Sequence, residues 1–241
     1  MELSIVVPAH NEEARLPATL QTLSDYIAGR DCEIVVATDV QSADNTVAIA
    51  ESFASRTPSI RVVEVPSRGK GHALMSGIRA ATGDIALTAD ADLAVEPVQF
   101  EGLVDAARTG AIAIGSRYIH GAKRIDEPGS KLPLSRLILG RAFNLVVRAF
   151  ILPGIRDTQC GFKAFPRVVV QELIEGLQAQ GWIFDVELLA RARARGHPIT
   201  EVPVTWRHHH GSSVRPWRHA SSIGAELWGV YRRVGRSAPP K

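Results

Sequence analysis

Two aspartates separated by one residue, Asp90-Ala91-Asp92, follow directly on the apolar run Ile85-Ala86-Leu87-Thr88-Ala89. Carboxylates at this spacing, just past a buried strand, can share a hard cation such as Mg2+ or Mn2+. Alternatively, one can hold the metal while the other holds a ribose hydroxyl. A cation so placed would neutralise a diphosphate leaving group. The competing reading is a pair of solvated turn aspartates, and the position at a strand end weighs against it. Gly69-Lys70-Gly71 leads into a helical stretch, where free backbone amides and the positive helix end favour an anion and Lys70 adds a point charge. The spacing is not that of a Walker loop, and the alternative is a turn carrying a surface lysine.

The elements that position these groups follow from periodicity. Ser4–Pro8, Glu33–Ala37, Ile60–Val65 and Ile85–Ala89 are short apolar runs that read as buried strands. Between them, residues 12–28 place Leu16, Leu20, Leu23 and Ile27 at helical spacing, and 44–56 and Gly71–Thr82 read as two more helices. Strand and helix alternate with short connections, which predicts an α/β fold: a Rossmann-like, mostly parallel central sheet flanked by helices. Such sheets bind ligands where their strands end, near a switch in strand order. The strand ends carry His10-Asn11-Glu12, Thr38-Asp39, Ser67-Arg68-Gly69-Lys70-Gly71 and Asp90-Ala91-Asp92. That rim reads as an active site. The second half is less regular, with a loop at about 120–133 and a polar tail from Ser237.

The 241 residues suit one large α/β domain with or without an appendage, and 45% hydrophobic with 22% charged residues is ordinary globular composition. Cys32 and Cys160 lie far apart, with no metal-type spacing, and read as buried free thiols of a reducing compartment. No basic, apolar leader opens the chain, so a cytoplasmic location is expected. The net charge of +3 is unevenly spread. Residues 1–116 carry −8, 117–167 carry +7, 168–206 carry −2 and 207–241 carry +6. An acidic half joined to basic blocks implies a cation site plus a surface for anionic partners.

Read together, the motifs narrow further. Val6-Val7-Pro8-Ala9-His10-Asn11-Glu12-Glu13, Asp39 through Thr46, Gly69-Lys70-Gly71-His72-Ala73, Asp90-Ala91-Asp92-Leu93 and Gly115-Ser116-Arg117-Tyr118 stand in the order seen in family-2 glycosyltransferases of the GT-A fold. Asp157 through Phe165, Phe184 through Leu189, and Glu201-Val202-Pro203-Val204 with Gly211-Ser212 resemble the dolichyl-phosphate glucosyltransferase and polyprenyl-phosphate sugar synthase branch. The resemblance covers roughly residues 3–214. It implies a catalytic domain over 1–214, followed by a basic amphipathic helix and tail over 215–241.

The resemblance also implies roles. Pro8, Ala9, Asn11 and Glu12 would touch the nucleotide of a UDP- or GDP-hexose, and Asp39 its base. Asp90 and Asp92 would hold the ribose, the diphosphate and Mg2+ or Mn2+, with Lys70 beside the donor and Arg117 beside both phosphates. Val40 and Gln41 replace the usual residues after Asp39 and leave uracil and guanine both open. Ala94 stands where many relatives supply a glutamine ligand, so water would complete the metal's shell. The implied reaction is a single in-line displacement that inverts the anomeric centre of glucose or mannose. A phosphate monoester has a second pKa near ~6 and needs no strong base. A hydroxyl acceptor would need one, and Asp185 or Glu187 is the candidate; the alternative for this pair is helix capping and an ion pair with an arginine.

Residues 134–152 are mostly apolar but contain Arg136, Arg141 and Arg148, with Arg141, Asn144 and Arg148 on one helical face. Three central arginines at roughly 2.5–3.5 kcal/mol each oppose a membrane span. An amphipathic helix lying in an anionic membrane surface fits better, and by resemblance Arg141, then Arg136, would bind the phosphate of a polyprenyl phosphate. Residues 219–234 repeat the pattern, with Ile223, Leu227, Val230, Tyr231 and Val234 on one face. Peripheral attachment to the inner membrane face is expected. His208-His209-His210 reads as a polar loop, because neighbours in an extended loop point apart; Arg215 could serve the acceptor or donor there in place of His208 and Ser213. The readings from other classes are transfer to a hydroxyl acceptor, a nucleotidyltransferase (whose Gly-rich opening loop is missing after Val7), and a basic nucleic-acid-binding module. The last is opposed by 6% aromatic content and the lack of a nucleic-acid motif, so no nucleic-acid partner is expected.

Overall fold

A computed structural model describes residues 1–66, 69–126, 134–179, 181, 183–208 and 220–235. Within the helices and strands at its margins, the side chains of 134–139, 208 and 220–222 lie outside the description. The motif residues Ser67, Arg68, Gly211, Ser212, Ser213 and Arg215, and the side chains of Arg136 and His208, therefore fall outside it, as do His209 and His210.

Seven strands form the central sheet in the order β3-β2-β1-β4-β7-β5-β8. These are β1 (Leu3–Ala9), β2 (Cys32–Asp39), β3 (Ile60–Val65), β4 (Ile85–Thr88), β5 (Ile112–Ser116), β7 (Lys163–Pro166) and β8 (Ile199–Pro203). All neighbours run parallel except β7, which lies antiparallel between β4 and β5. The first four strands match the sequence expectation to within two residues at each end. A two-stranded parallel ribbon, β6 (Lys123–Asp126) with β9 (Thr205–His208), sits outside the main sheet.

The sheet has apolar side chains on both faces, as burial between two helical layers requires. Ile5, Val7, Ile34, Val36 and Leu87 face a core shared with α1 (Leu16–Ile27), α2 (Thr46–Arg56) and α4 (Phe100–Arg108). Val6, Val35, Ala86, Ile112 and Ile114 face the opposite way, as strand alternation dictates. That core is closed by α3 (Lys70–Ala80), α5 (Leu134–Phe150), α6 (Arg167–Ile174), α7 (Phe184–Ala194) and α8 (Ala220–Val234). The second half is thus more regular than its sequence suggests. Its strands are short and its helix α7 is buried nearly all round, so neither shows the amphipathic period that reveals α1.

The first helix begins at Leu16 rather than at 12. Residues 11–13 are instead tied to the loop after β2: Asn11 Oδ1 accepts Ala43 N–H at 2.7 Å, Glu12 N–H donates to Thr46 Oγ1 at 2.7 Å, and Glu13 Oε2 accepts Asn45 N–H at 2.8 Å. Helix α3 lies tightly on β1, because a Cβ at Gly77 would sit 2.4 Å from Val6 Cγ1. Strand order reverses between β1 and β4, the place where such sheets open a crevice. No helix among the described residues is long and apolar enough to cross a membrane.

The surface helices divide their apolar residues in an unexpected way. On α5, Val147 is buried and Phe143 packs on the core, yet Leu145, Val146 and Phe150 are exposed beside Arg141 and Arg148. Asn144 turns inward and donates to Arg156 O at 2.5 Å. On α8, Ile223, Leu227, Val230 and Val234 pack on the core, whereas Tyr231 leaves that face and stacks on exposed Trp228 at 5.6 Å.

Candidate active site

The strand-order reversal brings the loop after β4 against the loop after β1, and a third loop folds over both. Asp90 follows β4. Its Oδ1 accepts a hydrogen bond from Lys70 Nζ at 2.5 Å, donated from the first residue of α3. Thr88 Oγ1 donates to Gly161 O at 2.7 Å and draws the 157–161 loop over the aspartate. Gly161 comes so close that a Cβ there would lie 1.9 Å from Asp90 Oδ2. On the far side, Thr19 Oγ1 of α1 donates to Ala91 O at 2.6 Å, which fixes the turn between the two aspartates. Asp92 Oδ1 accepts Ala94 N–H at 3.2 Å.

Both non-glycine residues with left-handed backbone among those described stand here: Asn11 at φ 54° and Leu93 at φ 41°. Such conformations cost of order 1–3 kcal/mol and persist where the surrounding structure holds them, often at working sites.

Charge is concentrated around Asp90. Burial opposes its ionisation, but Lys70, then Lys163 and Arg117, outweigh burial and lower its pKa. Asp92 is pushed the other way, by burial and then by the neighbouring Asp90. Burial also raises Glu12, with Arg15 opposing and Asp92 and Asp90 adding to the rise. The carboxylates of Asp90, Asp92 and Glu12 thus act on one another electrostatically, with the Lys70 ammonium set on Asp90. The all-oxygen chemistry of Asp90 and Asp92 suits a hard divalent cation. Among the described residues no third carboxylate, histidine or cysteine converges with the pair as a ready-made metal cage.

Two further ion pairs form the floor. Arg117, after β5, makes a two-pronged contact with Asp157, Nε to Oδ2 at 2.7 Å and Nη2 to Oδ1 at 2.9 Å. Burial works against both charges, yet each partner's field prevails: Arg117 is raised and Asp157 lowered. Glu201 holds this loop by accepting the N–H groups of Arg156 and Asp157 at 2.9 and 3.0 Å. Lys163 is almost fully buried, donates to Cys160 O and pairs with Asp185 at 2.7 Å. The surrounding apolar atoms push the buried Cys160 thiol up to about 11, so it stays protonated and inert.

Asp39 ends β2 almost fully buried. Its Oδ1 accepts Gln41 N–H at 2.8 Å, and its Oδ2 faces His10 Nδ1 at 3.0 Å. Pro8 and Ala9 form the end of β1 beside it, paired with Ala37 and Thr38. The structure thus gathers Asp90, Asp92, Glu12, Lys70, Arg117 and Asp185 within electrostatic reach, with Asn11 and Asp39 on the adjoining wall. Arg141 stands exposed on α5, and no described contact ties it to that cluster. Glu187 lies elsewhere: its carboxylate accepts Ala179 N–H at 2.8 Å and pairs with Arg233 of α8 at 2.9 Å, which fits the ion-pair alternative for this residue and not the base.

Sequence reasoning placed His10 on the strand-end rim and Asp157, Gly161 and Lys163 in a motif without giving any of them an individual role, and gave none to Trp206. Trp206 lies under two cations, Arg117 and Arg124, each 5.7 Å from its ring centroid. A run such as Asp157-Thr158-Gln159-Cys160-Gly161-Phe162-Lys163 packs a charge, a glycine and a buried lysine into seven residues, and that density was the available signal.

Known proteins agree with this architecture. The chain is 34% identical over 250 residues to the dolichyl-phosphate beta-glucosyltransferase of Drosophila melanogaster, covering 97% of this chain and 75% of the relative. It is 35% identical over 243 residues to the human enzyme of that name, covering 94% and 74%. Among solved structures, glucosyl-3-phosphoglycerate synthase from Mycobacterium tuberculosis, crystallised with Mn2+, uridine diphosphate and phosphoglyceric acid, superposes with a TM-score of 0.68 at 24% identity, covering 100% of this chain and 80% of that one. This likeness places the fold as GT-A. Residues 4–174 match the family model described as glycosyl transferase family 2, and the chain belongs to that family.

Proposed function

We propose that this protein transfers glucose from a uridine diphosphate donor to a polyprenyl phosphate of the dolichyl type, with inversion, at the cytoplasmic face of a membrane. The observation that carries the reading is the Asp90–Asp92 pair at the strand-order reversal, with Lys70 donated onto it from the N-terminus of α3. The names of the curated relatives support the acceptor and the sugar. Asp39 supports the base. With one oxygen already taken by Gln41 N–H and the other facing His10, it is better suited to the single imide N–H of uracil than to the two-donor edge of guanine.

Asp90 and Asp92 are the residues that would hold a divalent cation, which when bound supplies charge neutralisation to the departing diphosphate. The chain's own groups do the rest. The α3 N-terminus and Lys70 attract the diphosphate, while Glu12 and Asn11 shape the nucleoside wall. The Arg117 guanidinium, held rigidly by Asp157, presents its remaining N–H groups to an acceptor phosphate. The acceptor phosphate is already anionic at neutral pH and serves as nucleophile without a base. Asp185, fixed by Lys163, then acts on the field around the site and takes no proton.

The exposed Leu145, Val146 and Phe150 beside Arg141 and Arg148 on α5, and the Trp228–Tyr231 stack near Arg232 on α8, support peripheral docking on an anionic bilayer. Incubation with labelled UDP-glucose, UDP-galactose, GDP-mannose and polyprenyl phosphate tests the proposal. Lipid-linked glucose should form only from UDP-glucose, fail in EDTA and fail in Asp92→Ala. Transfer to a sugar hydroxyl instead of the lipid phosphate would refute the acceptor, and undiminished turnover in EDTA would refute the metal role.

A further inference from the structure

Three cations act on Asp90, and they differ in how firmly they are held. Arg117 is clamped by both oxygens of buried Asp157. Lys163 is 1% exposed and is held by Asp185 and the Cys160 carbonyl. Lys70 is different. Its side chain is 39% exposed, it sits on the first residue of α3, and Asp90 is its one described hydrogen-bond partner, with Asp185 and Asp92 adding to the field that keeps it charged. A four-carbon stem with rotatable donors can swing where a clamped guanidinium cannot.

The ammonium lies 2.5 Å from Asp90 Oδ1. A divalent cation entering against the same carboxylate would meet a like charge within a few ångströms, in a part-buried site where such repulsion is poorly screened. For Asp90 Oδ1 to become a ligand Lys70 has to leave it, and the ammonium then needs another anion to face. The nearest anion site that its backbone offers is its own helix N-terminus.

We propose that Lys70 is a displaceable internal counter-ion: it neutralises Asp90 while the donor site is empty and transfers to the donor's diphosphate on binding. The carboxylate pair then accepts its divalent cation only together with the nucleotide. This inference rests on the reading of Asp90 and Asp92 as the metal and donor site. It makes Lys70 a positioning residue for Asp90 as well as a contact for the donor. Premature metal loading, which would trap free cation in a donor-free enzyme, is disfavoured by the same contact.

Direct measurement of Mn2+ binding by electron paramagnetic resonance, on the full chain with and without UDP, separates the possibilities. Wild type should bind Mn2+ weakly alone and much more tightly with UDP. Lys70→Met should bind Mn2+ without UDP about ten- to a hundredfold more tightly than wild type, the range set by one charge-assisted hydrogen bond. UDP should then enhance Mn2+ binding less than in wild type. Lys70→Gln, which removes the charge but keeps a polar end, should behave alike, and circular dichroism checks that both variants are folded. If wild type binds Mn2+ with UDP but neither folded variant binds it more tightly without UDP, the counter-ion proposal is overturned and the metal site stands. If wild type fails to bind Mn2+ even with UDP, the metal reading itself is refuted, and the proposal falls with it.

Discussion

Gly161→Ala puts the architecture of the site under a sharp test. The added methyl would lie 1.9 Å from Asp90 Oδ2, 2.4 Å from Cγ and 2.6 Å from Oδ1. Ordinary carbon contacts need about 3.5 Å, so either the carboxylate or the 157–161 loop must retreat by about 1.5 Å. The loop cannot easily retreat, because Gly161 O is held by Thr88 Oγ1 and Asp157 is anchored by Arg117 and Glu201. Asp90 must therefore rotate away from Lys70. A misplacement of about 1 Å in a working group can cost ~100-fold, equivalent to ~2.7 kcal/mol of barrier. The overpacking itself should destabilise the fold by roughly 1–3 kcal/mol. The assay is kcat/KM for UDP-glucose at saturating polyprenyl phosphate, alongside urea unfolding. A fall of at least about a hundredfold in kcat/KM is expected. Gly102→Ala, on α4 with only Val202 Cγ1 near its new methyl at 3.4 Å, is the control; it should keep full activity and gain about 0.5–1 kcal/mol of stability. Wild-type kcat/KM in folded Gly161→Ala would refute the claim that Asp90 must stay where this loop places it.

Other expectations follow from the ion pairs and surface helices. Asp157 has its pKa lowered by Arg117 against the cost of burial, so its contribution to stability is present above the unfolded carboxylate pKa and disappears as pH falls through the folded value. Asp157→Asn should therefore cost about 3–5 kcal/mol at pH 7, as loss of one partner of a buried pair does, and lose less stability than wild type on acidification to pH 3; parallel denaturant curves at the two pH values check both. Arg233→Ala leaves the Glu187 carboxylate buried without its α8 partner, and thermal melts should show a loss of a few degrees or more with KM for UDP-glucose unchanged. Arg141→Ala should raise KM for polyprenyl phosphate severalfold while leaving KM for the donor alone; unchanged lipid dependence would remove Arg141 from the acceptor path. Replacing Leu145 and Phe150 together by serine should weaken sedimentation with anionic vesicles without altering the melting temperature, since both side chains stand exposed.

The sequence by itself determined the first half of the molecule and the identity of the charged rim. Strands with an apolar run such as Ile34–Ala37 and helices with the stripe Leu16, Leu20, Leu23, Ile27 declare themselves locally, because burial of a repeating face needs no distant partner to be read. Asp90, Asp92 and Lys70 were legible for the same reason, since their places follow from where each strand stops and each helix starts. The partners of those residues were not. Gly161 meets Asp90 from 71 positions further along the chain, Asp157 meets Arg117 from 40 and Asp185 meets Lys163 from 22. These contacts exist because β7 inserts antiparallel between β4 and β5, carrying the 157–161 loop back over the strand ends. No local period encodes that insertion. Only the assembled sheet decided that Glu187 would serve α8 and Asp185 the site, or that Leu145, Val146 and Phe150 of α5 would face outward, because side-chain direction on a buried or surface helix is set by what packs against it. Tertiary packing turned a row of plausible ligands into one site in which each ion pair has a fixed partner.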